Sequence, residues 1–379
     1  MKLSFLLKAA VAAGILLLAA YIAAVASYTL PAYEAAAPPR PDPYGQYQYR
    51  GAVHVHTSHS PDAEGSVSDA VVSARNNELD FLVITDHNVL AAKKDEGYKD
   101  GLVLLVGAEI STEHGHFLSL GLTDELSEGG RRGSDYFHAA SQNGGFNVVS
   151  HPFAGSHPFR KIDAGGYDGI EIMNLKEMFE EAAKFPYLSL ALAAIAYPVS
   201  PRYALYLLYR RPDEAIAFLD RTLGERPVTI LCGADAHGTP DNTLLLGQFV
   251  NHVFVPERMN GRFDHDAGLV MDAIRNGRVF VAADGIARAD GFAFDCGRAA
   301  QARERRVRMS LRGFPRPDLV SAEIFWNGQK VGRRDGLREE WSAPVPGSGP
   351  VRIEISLVVP TLLRFARTVP WIHAVACQD

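Results

Sequence analysis

Nine short apolar runs rich in Val, Ile and Leu recur through the middle of this chain, and four of them are followed directly by a histidine or an acid. They are Gly51 to Val55, Phe81 to Thr85, Val103 to Ala108, Phe117 to Leu122, Phe146 to Ser150, Gly169 to Met173, Val228 to Gly233, Phe249 to Val255 and Val279 to Ala282. Stretches with helical periodicity, such as Val67 to Asn76 and Ala267 to Asn276, separate several of them. Strand alternating with helix predicts an α/β fold, a mainly parallel sheet covered by helices, either closed into a barrel or open and doubly wound. The polar residues decide between these. His54 and His56 end the first run, Asp86 and His87 the second, Glu109 the third and His151 the fifth, while Asp235 and His237 follow the seventh. A barrel gathers all its strand C-termini at one mouth, whereas an open sheet uses only those near its switch point. So wide a spread favours the barrel.

Histidine is concentrated where those runs lie: ten of the 13 fall between His54 and His237. His54-Val55-His56 on a strand directs both imidazoles to one side, because side-chain direction has a period of two. Asp62, Asp86, His87, Glu109, His116, His151, Asp235 and His237 add further imidazoles and carboxylates. Any one of these histidines alone is an ordinary core or surface residue. As a set at one barrel mouth they would repel or remain desolvated, and bound cations would compensate them. A mixed imidazole and carboxylate set suits zinc, manganese or iron, with a carboxylate such as Glu109 able to bridge two ions.

At these residues the sequence resembles a known family. The runs His54-Val55-His56-Thr57-Ser58-His59-Ser60-Pro61-Asp62, Ile84-Thr85-Asp86-His87-Asn88, Gly107-Ala108-Glu109, Ser150-His151-Pro152 and Gly233-Ala234-Asp235-Ala236-His237 are similar to the successive motifs of the polymerase and histidinol phosphatase (PHP) family of metal-dependent phosphoesterases. The resemblance covers roughly Tyr49 to Ala283. It implies a distorted (β/α)7 barrel with two or three divalent ions (Zn, Mn or Fe) at the strand C-termini. By motif position the first ion falls to His54, His56, Glu109 and Asp235, the second to Glu109, His116 and His151, and the third to Asp62, His87 and His237. Asp62-Ala63-Glu64-Gly65 stands where many members have Asp-Gly, so the loop departs from the family pattern. His114 competes with His116; His116 is preferred because it directly precedes the Phe117 strand.

Such a site acts by positioning and charge neutralisation, so no nucleophilic Ser or Cys is needed, and none is evident. His59, His157 and Arg160 are the candidates to meet a phosphate or protonate a leaving group, with Lys161 beside them and Glu171 and Asn174 at another strand end. Cys232 reads as a small buried hydrophobe. The function expected is hydrolysis of a phosphate ester, either a small phosphomonoester or an oligonucleotide trimmed from its end. The alternatives are a metallohydrolase of carboxyl or carbamate esters using the same site, and a noncatalytic binding protein on a PHP scaffold.

Four parts are expected. Residues 1–30 are a signal peptide or transmembrane anchor: Lys2 and Lys8 precede an uncharged run of 18 residues from Ala9 to Ala26, about 27 Å long as a helix. Ala24-Val25-Ala26 also has the form a signal peptidase accepts. Either reading leaves the protein membrane-anchored or secreted, with its catalytic part on the extracytoplasmic side. Residues 31–48 are a Pro-rich linker, 49–285 the metallohydrolase barrel and 286–379 a small all-β module. Phe185 to Tyr209 is apolar and broken by Pro198 and Pro201; it reads as helices covering the barrel or as an interfacial lid. Net charge is -6, and the C-terminal module carries 14 Arg and one Lys against ten acids, which leaves the catalytic part acidic. A stable nucleic-acid complex is therefore not expected. Cys296 and Cys377 bracket the module and are placed to pair in an oxidising compartment.

Overall fold

The computed structural model describes residues 2–27, 41–132, 135–160, 165–184, 187–239, 241–298, 305–337, 340–360 and 366–377. Much of the 31–48 linker and Lys161 lie outside them.

The chain opens with α1 (Lys2–Ser27), of which Leu7–Ser27 is the one helix among the described residues long and apolar enough to cross a membrane. Then β1 (Tyr47–Val55) is followed by α2 (Val67–Asn76) and by β2 (Phe81–Ile84), parallel to β1. Helix α2 starts where its residues demand: Ser66 accepts from Asp69 N, and the Asp69 carboxylate accepts from Ser66 N at 2.7 Å, a reciprocal cap. The short β3 (Gly97–Lys99) turns into β4 (Leu102–Val106), which pairs in parallel with β2.

β4 ends at Val106, and the chain at Gly107 then passes so close to a neighbouring segment that a Cβ there would lie 2.5 Å from the Ser119 carbonyl. The run expected from Val103 to Ala108 is thus cut, and β5 (Ala108–Thr112) enters a different sheet with β6 (Gly115–Leu120) and β7 (Phe146–Val149). Two short helices, α3 (Glu128–Arg132) and α4 (Tyr136–Gln142), connect β6 to β7. Next comes β8 (Gly169–Asn174), then the helices α5 (Leu175–Lys184), α6 (Tyr187–Ala196), α7 (Pro201–Leu208) and α8 (Asp213–Glu225) before β9 (Thr229–Gly233). Strands β7, β8 and β9 are parallel to one another. The chain continues through α9 (Asn242–Leu246), β10 (Val250–Val255), α10 (Phe263–Arg275) and β11 (Val279–Ala282).

The (β/α)7 barrel expected from the sequence is not found as a closed ring among the described residues. Two parallel triplets, β1-β2-β4 and β7-β8-β9, belong to separate sheets, and β10 runs antiparallel to β1. Backbone hydrogen bonds stitch the sheets together where strands end: Ala234 N donates to Val53 O at 3.0 Å and His56 N to Ala236 O at 2.9 Å. On the far side, Asn88 N, just past β2, reaches Glu109 O of β5 at 2.9 Å. The site-bearing strand ends still converge, at the junction of two sheets.

Helix α10 lays Val270, Ala273 and Ile274 on a buried face made by Val53, Phe81, Val83 and Leu231. Each large side chain so buried contributes about 1.5–3 kcal/mol, which keeps the two sheets in register. The C-terminal strands are β12 (Phe292–Arg298), β13 (Arg305–Leu311), β14 (Val320–Trp326), β15 (Gln329–Asp335), β16 (Glu340–Val345), β17 (Val351–Pro360) and β18 (Ala366–Ala376). The C-terminal part is β-rich, with a short 3-10 helix at Pro317–Leu319, and β18 pairs with β11, so the ten-stranded sheet runs from β1 and β2 into the C-terminal part. Cys296 and Cys377 form a disulfide with Cα atoms 5.3 Å apart.

Candidate metal centre

His54 and His56 flank the last residue of β1, and the backbone there is unusual: His54 has a φ of 65°, and Asp235 and His151 are also positive at 47° and 27°. Left-handed geometry is costly for side chains of this kind and is held only where surroundings enforce it. Here it turns three polar side chains into one cleft.

Glu109 is the hub. Its Oε2 lies 3.2 Å from His54 Nε2, 3.2 Å from His56 Nε2 and 3.3 Å from His87 Nδ1. Its other oxygen, Oε1, lies 3.1 Å from His116 Nδ1 and 3.0 Å from His151 Nε2. One carboxylate is therefore shared by five imidazoles, in two groups on its two oxygens. Asp235 Oδ1 approaches His54 Nε2 at 3.4 Å and His56 Nε2 at 3.5 Å. Asp62 Oδ2, on the exposed rim, is 3.3 Å from His87 Nε2 and 3.5 Å from His237 Nε2.

Second contacts fix the direction of these rings. His54 Nδ1 donates to Glu171 Oε1 at 2.7 Å, which turns Nε2 toward Glu109 and Asp235, where it can take a cation in place of a proton. Glu171 Oε2 accepts from His151 N at 2.8 Å and from Asn174 Nδ2 at 3.0 Å. Gly233 makes room for that carboxylate, since a Cβ there would lie 2.0 Å from Glu171 Oε1. Asp86 performs a similar task for the first loop, accepting from Thr57 N at 2.7 Å, Thr57 Oγ1 at 2.8 Å and Ser60 Oγ at 2.9 Å. Ser60 Oγ in turn meets His56 Nδ1 at 3.2 Å.

The residues fit divalent cations. His54 Nε2, His56 Nε2, His87 Nδ1 and Asp235 Oδ2 are buried with no hydrogen-bond partner of acceptable geometry, a condition that a bound ion relieves. Three sets of ligand atoms each fall within 4.8 Å of one another: His54, His56, Glu109 and Asp235; His87, Glu109 and His116; and His56, His87 and His237. The first set matches the residues that motif position assigns to the first ion. In the other two, His87 stands where His151 was expected and His56 where Asp62 was expected, although His151 and Asp62 lie against the same cluster.

No protein-family model matches this sequence, and no curated protein matches it. A two-domain protein of Bacteroides vulgatus ATCC 8482, described as containing a predicted PHP-like metal-dependent phosphoesterase and solved at 2.20 Å, is similar in structure. It is 16% identical, and the match covers 89% of this chain and 99% of that one with a TM-score of 0.45.

Electrostatics at the centre follow from burial set against opposite charge. Burial opposes a charge on His54, yet Glu171, Glu109 and Asp235 raise it well above its ordinary value. His56, equally buried, is pushed up to about 9 by Asp235 and Glu109. Burial acts against ionised Glu109 and Asp235 as well, but the surrounding imidazoles hold both below the usual carboxylate range. His87 goes the other way, down to about 4, because burial outweighs its acidic neighbours. In metal-free protein, protons on His54 and His56 thus stand in for cations.

The remaining candidates are spread along the rim. His157 stacks on His116 with ring centroids 5.0 Å apart and planes at 19°. His59 is exposed beside the Asp86-anchored loop, and its backbone N donates to Thr57 Oγ1 at 3.3 Å. Arg160 is exposed, and its backbone N–H meets His114 O at 2.6 Å. His114 itself turns away toward Tyr136, with ring centroids 5.9 Å apart, and leaves the Glu109 position to His116. Sequence reasoning missed Thr57 and Ser60 as supports, although their places in the His54 motif are the signal that marks them. Cys232 is buried in β9, as read from the sequence.

Proposed function

We propose that this chain is a metal-dependent hydrolase of phosphate esters, with two or three divalent ions (Zn, Mn or Fe) held by His54, His56, Asp62, His87, Glu109, His116, His151, Asp235 and His237. The observation that carries this reading is Glu109, whose two oxygens each face their own group of imidazoles. A single ion would use one such group, whereas a shared carboxylate between two groups suits a multinuclear centre. When bound, divalent ions there supply Lewis acidity toward phosphoryl oxygens and lower the pKa of water.

The chain's own residues do the rest. Glu171 holds the His54 ring and ties it to the backbone that carries His151, so two ligands from different strands move together. Asp86 fixes the loop that positions His56, through Thr57 and Ser60. We assign to His157 and Arg160 the contact with a substrate phosphate, and to His157 or His59 the proton given to the leaving group. The substrate class we assign is a small phosphomonoester or the end of an oligonucleotide, with no stable nucleic-acid complex. The Cys296–Cys377 disulfide supports an extracytoplasmic location for the catalytic part, since such bonds persist in oxidising compartments.

Metal analysis and a substrate panel test this together. The full chain should carry at least two equivalents of transition metal and, with added Mn or Zn, hydrolyse phosphomonoesters or oligonucleotide ends in preference to carboxyl esters. His87→Ala and Asp235→Ala should abolish turnover with the fold retained. A folded protein that takes up no metal, or one that cleaves only carboxyl esters, refutes the assignment.

A further inference from the structure

Among the described residues, the large apolar side chains left exposed are confined to three places: α1, the segment from Leu188 to Val199, and Val72 alone on α2. Two of the three are in contact. Tyr21 Oη of α1 donates to the Leu192 carbonyl of α6 at 2.9 Å, and Val25 of α1 is buried in the core cluster to which Ala193 and Ala196 of α6 also belong. Upstream of this contact α1 stands clear of the body, with Leu7, Val11, Ile15, Leu16 and Leu17 all more than half exposed.

The depth of that contact matters. If the uncharged run from Ala9 to Ala26 fills the hydrocarbon core, Tyr21 lies five residues from its outer end, about 7–8 Å inside at 1.5 Å per residue. Whatever packs on Tyr21 and Val25 is then at the boundary between headgroups and acyl chains. Helix α6 is built for that level. The 17 residues from Phe185 to Pro201 carry no charge, and charges resume only at Arg202. Leu188 is 65% exposed, and Ile195, Tyr197 and Val199 are each near 40%. At ten residues α6 is about 15 Å long, too short to span a bilayer but suited to lying in its surface, and tyrosines such as Tyr21 and Tyr197 favour the interface.

We infer that α6 and the turn after it form a membrane-embedded foot that docks beside α1 in the interfacial layer of a lipid bilayer. This goes beyond the catalytic reading and does not depend on it. The foot is joined to the metal-site rim through α5, because Glu180 of α5 accepts from Gly155 N and Ser156 Oγ in the loop between His151 and His157.

The test uses the full chain reconstituted in phosphatidylethanolamine and phosphatidylglycerol vesicles, with a nitroxide at Leu188→Cys or Ile195→Cys. Cys232 is buried and the other two cysteines are paired, so labelling is selective. Leu17→Cys serves as the reference for mid-bilayer and Val72→Cys as the reference for water. Nitroxides at 188 and 195 should collide with oxygen several-fold more than with a water-soluble nickel complex, as at position 17 and unlike position 72. Nickel-dominated collisions at 188 and 195 would overturn the inference, and so would a water-exposed position 17. Exclusion of both reagents would overturn it too, since it would mean that a second copy or another protein covers α6.

Discussion

Replacing Glu171 by Gln tests whether the buried carboxylate beneath His54 sets that ring up as a metal ligand. Glu171 is fully buried, accepts from His54 Nδ1 on one oxygen, and on the other accepts from His151 N and Asn174 Nδ2 at 2.8 and 3.0 Å. Glutamine cannot satisfy all three. With its NH2 toward His151 and Asn174, it sets donor against donor twice. Flipped, it donates to His54 Nδ1 and forces the imidazole proton onto Nε2, the atom that faces Glu109 and Asp235. Either arrangement loses a charge-assisted hydrogen bond worth about 1.5–3 kcal/mol. Supports of this kind typically contribute 10–100-fold in metal affinity, about 1.4–2.8 kcal/mol. Competition with a chromophoric chelator at fixed pH, on a variant whose circular dichroism matches the parent, should show affinity for Zn or Mn reduced by that factor at one site. An affinity within twofold of the parent would mean that Glu171 does not orient His54 for a metal, and the ring's direction would need another cause.

Glu177 gives a pH-dependent prediction. Burial pushes its carboxyl up to about 7, against the hydrogen bond it accepts from Phe153 N at 2.6 Å. Between the unfolded value near 4.5 and about 7, the native state holds a proton that the unfolded state has lost, so this group's stability is present below 4.5 and lost as pH rises to 7. Glu177→Gln should match the parent in urea melts at pH 4.5 and exceed it by up to about 3 kcal/mol at pH 8; equal stabilities at pH 8 would contradict the shift. The Cys296–Cys377 bond closes a loop across a sequence separation of 81 residues, which by chain entropy stabilises the fold by about 4 kcal/mol. Reduction by dithiothreitol should lower the urea midpoint accordingly, and a change below about 1 kcal/mol would show that the bond constrains little.

Local patterning made much of this molecule legible. The run from Val279 to Ala282 is β11, the stretch Val67 to Asn76 is α2, and Phe81 to Thr85 differs from β2 by one residue. Each is set by side-chain periodicity and caps within a few residues. What patterning missed was pairing. A mainly parallel sheet was expected, yet β10 runs antiparallel to β1, and Val103 to Ala108 read as one strand although it divides at Gly107 between two sheets. β18 was invisible as an extension of the sheet that carries β1 and β2 because its partner β11 lies more than eighty residues earlier.

The sequence by itself determined which side chains are available for metal binding, their places at strand ends, the apolar N-terminal helix and the β-rich character of the C-terminal part. Only the tertiary structure decided that Glu109 stands between two groups of imidazoles, that Glu171 locks His54, and that α6 lies against α1. Residue types and their spacing are carried along the chain, but contacts between residues such as His54 and Glu171, or Tyr21 and Leu192, span more than a hundred positions. They exist only once burial of the shared core has brought the strand ends together.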